Sequence, residues 1–444
     1  MIPRVSIVGA GLAGSEAAWQ LASRGIAVTL HEMKPDVYSP AHQNPDFAEL
    51  VCSNSFGALG PTSASGMLKA EMSALGSLIL SQARRHEVAA GGSLAVDRQA
   101  FSRGVTEALS THPLIDIVRG EVPLIPAERP VIIATGPLTG SGLAADIQKR
   151  VGQTSLYFYD AIAPVVLGES INRDIAFMAS RYSDEPGDYL NCPMDKAQYE
   201  AFVAALLGGD CYPPHPFEEE KLFHGCQPIE AIAASGPMTL SFGPMRPVGL
   251  TDPRTGKRPW AVVQLRREDR DGQMWNLVGF QTKLRHGEQA RILRTIPGLE
   301  AAEFIRFGTI HRNTFLNAPT LLNERLALRD EPRLHFAGQI TGVEGYLEST
   351  ACGLMCALFV WGELTGNPVE APPPESMLGA LLRYLREADA KNFQPMNTNF
   401  GILPPMEHRP RTSKSDRRDA LAARGADAFH RWSTLIPSLP TQPV

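Results

Sequence analysis

The chain opens on Val5-Ser-Ile-Val8, runs directly into Gly9-Ala10-Gly11-Leu12-Ala13-Gly14, and continues into an Ala- and Leu-rich stretch as far as Ser23. A β-branched run, a glycine turn and a helix-forming stretch, in that order, specify the first half of a βαβ unit that holds a nucleotide. Each glycine has a task that a side chain would spoil. Gly9 permits the tight turn, Gly11 lets backbone approach a pyrophosphate, and Gly14 allows close helix packing. The start of the helix adds free N–H groups and positive potential. A second strand, Ala27 to His31, ends at Glu32, whose carboxylate is placed to accept hydrogen bonds from an adenosine ribose. A lone GxGxxG is an ordinary glycine-rich turn, but strand, helix and acidic strand end in register favour a nucleotide site.

Two distant segments repeat the theme. Val131-Ile-Ile-Ala-Thr135-Gly136 reads as a buried strand, and Leu334-His-Phe-Ala337-Gly338-Gln339 as a strand ending where a new helix begins. Both resemble the closing motifs of glutathione-reductase-type flavoproteins. That resemblance implies an α/β fold: a Rossmann-type FAD-binding domain assembled from both chain ends, residues 1–160 and 324–444, with an inserted α+β domain at 161–323. The helix expected from Glu348 to Trp361 would point its start at the cofactor. Its two cysteines, Cys352 and Cys356, share one face and read as small buried apolar residues rather than a redox pair. Within the insertion the sequence predicts a helix at Lys196 to Leu207 and strands at Trp260 to Leu265 and Trp275 to Gln281. Gly366 to Pro374 reads as a linker before an amphipathic helix from Met377 to Ala390.

A chain of 444 residues suits two joined domains better than one small core. The longest strongly apolar uncharged stretch, Ser349 to Gly362, is 14 residues, against about 20 for a membrane helix. Arg4 followed by an apolar run faintly imitates a signal peptide, yet Glu16 and the glycine motif interrupt it, so a cytoplasmic protein is expected. Cys52, Cys192, Cys211, Cys226, Cys352 and Cys356 form no CxxC pair, which argues against a zinc knuckle, another metal site or a disulfide framework. A formal net charge of -5 gives no global attraction for nucleic acid. Any RNA grip must be local. Candidates are Arg409, Arg411, Lys414, Arg417 and Arg418, and the cluster Arg254, Lys257, Arg258, Arg266 and Arg267, all of which serve equally as solvated surface.

Several strings resemble the bacterial folate/FAD-dependent tRNA (uracil-5-)-methyltransferase family. They are Glu49-Leu-Val-Cys52-Ser-Asn-Ser-Phe56, Gly225-Cys226-Gln-Pro-Ile-Glu230, Val278-Gly-Phe-Gln-Thr282, His311-Arg-Asn-Thr-Phe315, Gly345-Tyr346-Leu-Glu348-Ser and Phe393-Gln-Pro-Met-Asn397. The likeness runs from the first strand nearly to residue 405. Met is usual in the family where Gln227 stands, and another residue where His224 stands, but Cys226 and Glu230 are in place.

The resemblance implies methylation of C5 of uridine 54 in the tRNA T loop. The methylene would come from methylenetetrahydrofolate and hydride from reduced FAD, with NADH or NADPH regenerating the flavin. Uracil C5 is a poor nucleophile until a group adds to C6. A thiolate can add there, and a second group then removes the C5 proton. Cys52 and Cys226 match the family's functional cysteines and are assigned jointly to these two steps, without a division between them. Tyr346 is a candidate for packing on the isoalloxazine, and His286 for stacking on a folate pterin; a core tyrosine and an exposed loop histidine are equally good readings. The expected partners are the tRNA T arm and small molecules, with no membrane and no obligatory protein partner. The sister family that modifies tRNA wobble uridines has longer chains with a helical C-terminal region. A nicotinamide-dependent flavin disulfide reductase needs a proximal cysteine pair and a second complete GxGxxG, and the sequence has neither.

Overall fold

A computed structural model describes residues 3–152, 156–161, 163–182, 187–212, 227–269, 271–308, 310–391, 393–406 and 413–437. Its larger sheet runs, in spatial order, Ala327–Leu328, Glu331–Phe336, Val131–Ile133, Arg4–Val8, Ala27–Glu32 and Ile115–Arg119. All but the two-residue edge strand are parallel, and the apolar runs in the central strands are buried because helices cover both faces. Val8 stands beside His31 on one side and Ile133 on the other, and Ile133 beside Phe336. These strands therefore end at one level, and the crevice beyond their carboxyl ends is where such sheets bind ligands. A strand from the far half of the chain sits inside this sheet, so the sheet cannot be completed from the N-terminal half alone.

The glycines act as the sequence requires. Gly9 has φ +100°, and a Cβ there would meet the Ala134 carbonyl oxygen at 2.7 Å. A Cβ on Gly14 would fall 1.8 Å from the Gly9 carbonyl oxygen, so the helix Leu12–Ala22 starts inside the motif and lies against its own turn. That helix crosses the helix Tyr346–Thr365 at Gly353, where a Cβ would fall 2.2 Å from the Ala13 carbonyl oxygen. Tyr346–Thr365 is long and apolar enough to cross a membrane by length and composition, but 89% of its apolar window is buried inside the protein. It is a core helix, six residues longer than the expected Glu348–Trp361, and Gly366 in a left-handed conformation ends it.

Residues 165–306 build a second sheet of antiparallel strands, ordered Phe177–Ala179, Tyr189–Met194, Ala261–Arg267, Met274–Leu277, Val165–Leu167 and Phe304–Arg306. Tyr199, Phe202, Leu265, Trp275 and Phe280 fill a separate core beneath it. The helix Lys196–Leu207 falls where expected, fixed by a capping box between Asp195 and Gln198. The strand expected to reach Gln281 stops at Leu277, because Gly279 turns the chain with φ +77°. The predicted helix from Met377 ends at Glu387, where Ala388 is extended. A ribbon of Leu156–Ala161 against Ile310–Phe315 carries the chain between the two sheets. Phe315, Leu316, Ala318 and Leu322 already pack in the first core. A small sheet of Ser55–Ala58, Ser93–Val96 and Glu87–Val88, not foreseen from sequence, shapes the loop that precedes it.

Gly353→Val should destabilise the protein by about 1–3 kcal/mol or more, since added atoms must push the two helices apart. Thermal denaturation against wild type tests this, and an unchanged midpoint would contradict the crossing.

Candidate active site

At the carboxyl ends of the parallel strands lies a cleft with about 1140 Å³ of empty space, part of it open to solvent. Its walls are Gly9, Ala10, Gly11, Leu12, Ala13, Glu32, Thr135, Gly136, Gly338, Gln339 and Tyr346, together with Lys34, Glu49, Leu138 and Ser349. Of the glycine motif only Gly14 stands behind the wall, as a packing residue. Nothing lies within 4 Å of a Cβ added to Gly11, which faces open space. The Glu32 carboxylate accepts the N–H groups of Ala10 at 2.9 Å and Lys34 at 3.0 Å, which fixes it at the end of its strand. Two helices, Leu12–Ala22 and Tyr346–Thr365, begin at this cleft and present positive ends to it. Ser349 Oγ, in the first turn of the second helix, is buried with no partner among the described residues. A donor set of this kind, with no side chain at Gly11, fits a dinucleotide.

The loop 50–54 borders the cleft and carries half-buried Cys52. The Tyr346 hydroxyl oxygen accepts the N–H groups of Cys52 at 2.6 Å and Ser53 at 3.1 Å. Burial pushes the Tyr346 phenol up, and neighbouring Cys52 adds to the effect, so the hydroxyl stays protonated. Arg98 donates to the carbonyls of Leu50 and Cys52, the latter at 3.0 Å, and pairs with Glu268. Burial opposes the Arg98 charge, but the attraction and hydrogen bond of Glu268, together with Tyr346 and Cys52, outweigh it and the net shift is upward. Arg306 reaches the carbonyls of Val51 and Cys52, both at 3.3 Å. Burial first, then the charge on Arg98, pushes Arg306 down to about 10, which leaves it a cation at neutral pH. Asn54 joins the second sheet, donating to the Arg267 carbonyl at 2.8 Å and accepting from Arg266 Nε at 2.9 Å.

Cys226 and His224 lie outside the described residues, as do Arg409 and Arg411. Glu230 lies in the first turn of the short helix Ile229–Ala234. It is buried, accepts the Thr282 hydroxyl, and is pushed up by burial. The string from Phe393 braces the cleft: Glu344 N–H donates to Met396, and the Thr398 N–H to Glu348 at 2.8 Å. Gln339 donates to both oxygens of Glu344.

His286 is exposed, stacked on Phe307 at 4.9 Å, and is not among the residues lining the cleft. Cys352 and Cys356 are buried in the core helix and pushed up by burial, as Cys192 is in the second core. Of the basic clusters, Arg266 is buried, Arg267 lies over Trp275, and Arg254 is clamped on Asp252. On the helix Lys414–Ser433, Arg424 donates to Pro404 and Pro405, and Arg431 pairs with Asp427. Arg417 and Arg418 on this helix, and Lys257 and Arg258 of the other cluster, are exposed. Arg98, Glu268 and Arg306 escaped the sequence reading because they are far apart in the chain and stand in no local pattern.

The profile of the family described as Glucose inhibited division protein A matches residues 4–368. The crystal structure of GidA from Aquifex aeolicus superposes with a TM-score of 0.66 at 14% identity, over 98% of this chain and 74% of that one, which shows the shared fold. A protein of Geotalea daltonii called "Methylenetetrahydrofolate--tRNA-(uracil-5-)-methyltransferase TrmFO" is 54% identical over 98% of this chain and 99% of its own. Its namesake in Thermosynechococcus vestitus is 52% identical over 99% and 96%. With identity of this order along nearly the whole length of both partners, on a GidA-type flavoprotein fold, the chain belongs to the TrmFO family.

Proposed function

We propose that the chain methylates C5 of a uridine in the T loop of tRNA, at position 54. In this reading it takes a methylene from methylenetetrahydrofolate and uses FAD reduced by NADH or NADPH. The observation that carries this is the joining, through Tyr346, of a dinucleotide cleft to a cysteine-bearing loop. The names of relatives more than 50% identical over nearly their full length support it.

In this reading Gly9 to Ala13, Thr135, Gly136, Gly338 and Gln339 surround FAD, with Gly14 packing behind them, Glu32 at the ribose and the two helix starts toward its phosphates. The FAD-binding part comprises residues 1–160 and 324–444, with 161–323 as an inserted domain. FAD, when bound, supplies hydride chemistry. The chain's own work is on the pyrimidine. The target base leaves its stack to reach the cleft, which costs a few kcal/mol. Of Cys52 and Cys226, one adds to C6, which makes C5 nucleophilic, and the other takes the C5 proton. Tyr346 orients the Cys52 loop. His286 serves the folate pterin only if substrate binding brings it to the cleft. Such an enzyme works in the cytoplasm, where its tRNA is.

Purified protein given FAD, NADH or NADPH, an unmodified tRNA transcript and methylene-labelled folate, without S-adenosylmethionine, should produce labelled ribothymidine. The label should vanish in Cys52→Ala and in Cys226→Ala. A flavin-loaded, reducible enzyme that transfers no label rules the reading out. Gly11→Val should fold normally yet lose FAD, since its side chain occupies the space a pyrophosphate needs; retained FAD absorbance in the purified variant would place the nucleotide elsewhere. Tyr346→Phe keeps the ring but leaves two N–H groups unpaired, a cost of about 1–3 kcal/mol, or roughly ten- to hundredfold in rate if it falls on loop ordering. Flavin content should stay and label transfer should fall.

A further inference from the structure

We infer that Arg306 is a positioning residue whose unmatched positive charge holds the Cys52 side chain as a thiolate. This deepens the reading above and rests on it for the use made of the thiolate.

Three charged side chains from separate elements meet at the loop 50–54. Arg98 opens the helix Arg98–Ser110, Glu268 follows the strand Ala261–Arg267, and Arg306 ends the strand Phe304–Arg306. Glu268 is committed to Arg98, taking hydrogen bonds from its Nε and from its Nη2 at 3.1 Å. No carboxylate among the described residues pairs with Arg306. Part of its side chain reaches the surface, but its Nε is buried with no partner among the described residues. Among the described residues, Arg98 and Arg306 on the loop carbonyls thus carry two positive charges against the one negative charge of Glu268, before Arg266 is counted.

A largely buried cation without a counter-ion is costly, and a protein keeps one where an anion meets it. Carbonyl anchoring accounts for only part of Arg306: it holds the Val51 carbonyl and shares the Cys52 carbonyl with Arg98, both at 3.3 Å, and neither neutral acceptor balances its charge. Glu268 attracts Arg306 as well but is bonded to Arg98, so one anion is set against two guanidiniums, and two further groups beside them can become anionic, Cys52 and Tyr346. Burial holds the Tyr346 hydroxyl protonated. Arg266 is engaged with Asn54 and adds charge of the same sign from the second sheet. The thiol therefore releases its proton to water, and the sulfur anion belongs to a residue whose carbonyl two guanidiniums hold, the kind of positive surroundings that lower a cysteine's pKa.

The test is the pH dependence of Cys52 alkylation by iodoacetamide in the FAD-loaded full chain, from about pH 5 to 10, read on the Cys52 peptide by mass spectrometry. The midpoint for Cys52 in wild type should lie below that of half-exposed Cys211 in the same sample. Arg306→Gln should raise the Cys52 midpoint by about one pH unit or more, and Arg306→Lys should restore most of the shift. If Arg306→Gln keeps its flavin and the midpoint does not move, the inference fails. Should that variant not fold, a wild-type Cys52 midpoint at or above that of Cys211 overturns it equally. A normal midpoint shift with no label transfer would instead count against the enzymatic reading alone.

Discussion

Ala13 lies between two glycines from the far half of the chain. A Cβ on Gly338 would fall 2.8 Å from its methyl, and one on Gly353 would fall 2.2 Å from its carbonyl oxygen. That close approach lets the helix Leu12–Ala22 and the helix Tyr346–Thr365 start side by side at the ends of the parallel strands. Two positive helix ends, the open face of Gly11 and the fixed carboxylate of Glu32 then converge on one cleft. The same contact sets Tyr346, the first residue of the returning helix, where its hydroxyl reaches Cys52 and Ser53. Cleft and cysteine are thus placed by one packing event.

The junction between the two cores follows a different physics. Apolar side chains fill each core, whereas the contact between them at residues 50–54 is polar: Asn54 against Arg266 and Arg267, Arg98 against Glu268, Arg306 against the loop carbonyls. Directional bonds of this kind fix a loop more narrowly than apolar contact does, and they surround it with low dielectric where charge matters most. The second sheet therefore shares in fixing the Cys52 loop, through Arg266, Glu268 and Arg306, beside Arg98 and Tyr346 from the half to which Cys52 belongs.

Much of this was legible in the chain. The strand, glycine turn, helix and Glu32 announce themselves because each depends on neighbours within a few residues, and the late strand and helix repeat the same local code. Boundaries failed where one residue's backbone decides, as at Gly279 and Ala388. The cluster of Arg98, Glu268 and Arg306 left no trace, since over 160 residues separate its first two members and only the folded sheet brings them together. The sequence also overstated the basic surface at one position: Arg266 reads as an exposed cation yet is buried on Asn54, whereas Arg254 is exposed and paired with Asp252. Burial of Cys192, Cys352 and Cys356 follows the simple expectation for small apolar residues.

The central claim is that a cysteine at this cleft attacks the pyrimidine of a T-loop uridine. A T-arm RNA with 5-fluorouridine at the target position tests it directly, because fluorine at C5 cannot leave as a proton does and the thiol adduct persists. Incubated with the FAD-loaded enzyme, reduced nicotinamide and methylenetetrahydrofolate, this RNA should become covalently attached, and peptide mapping should place it on Cys52 or Cys226. Attachment at another residue, or none with a flavin that is reduced normally, would contradict the account.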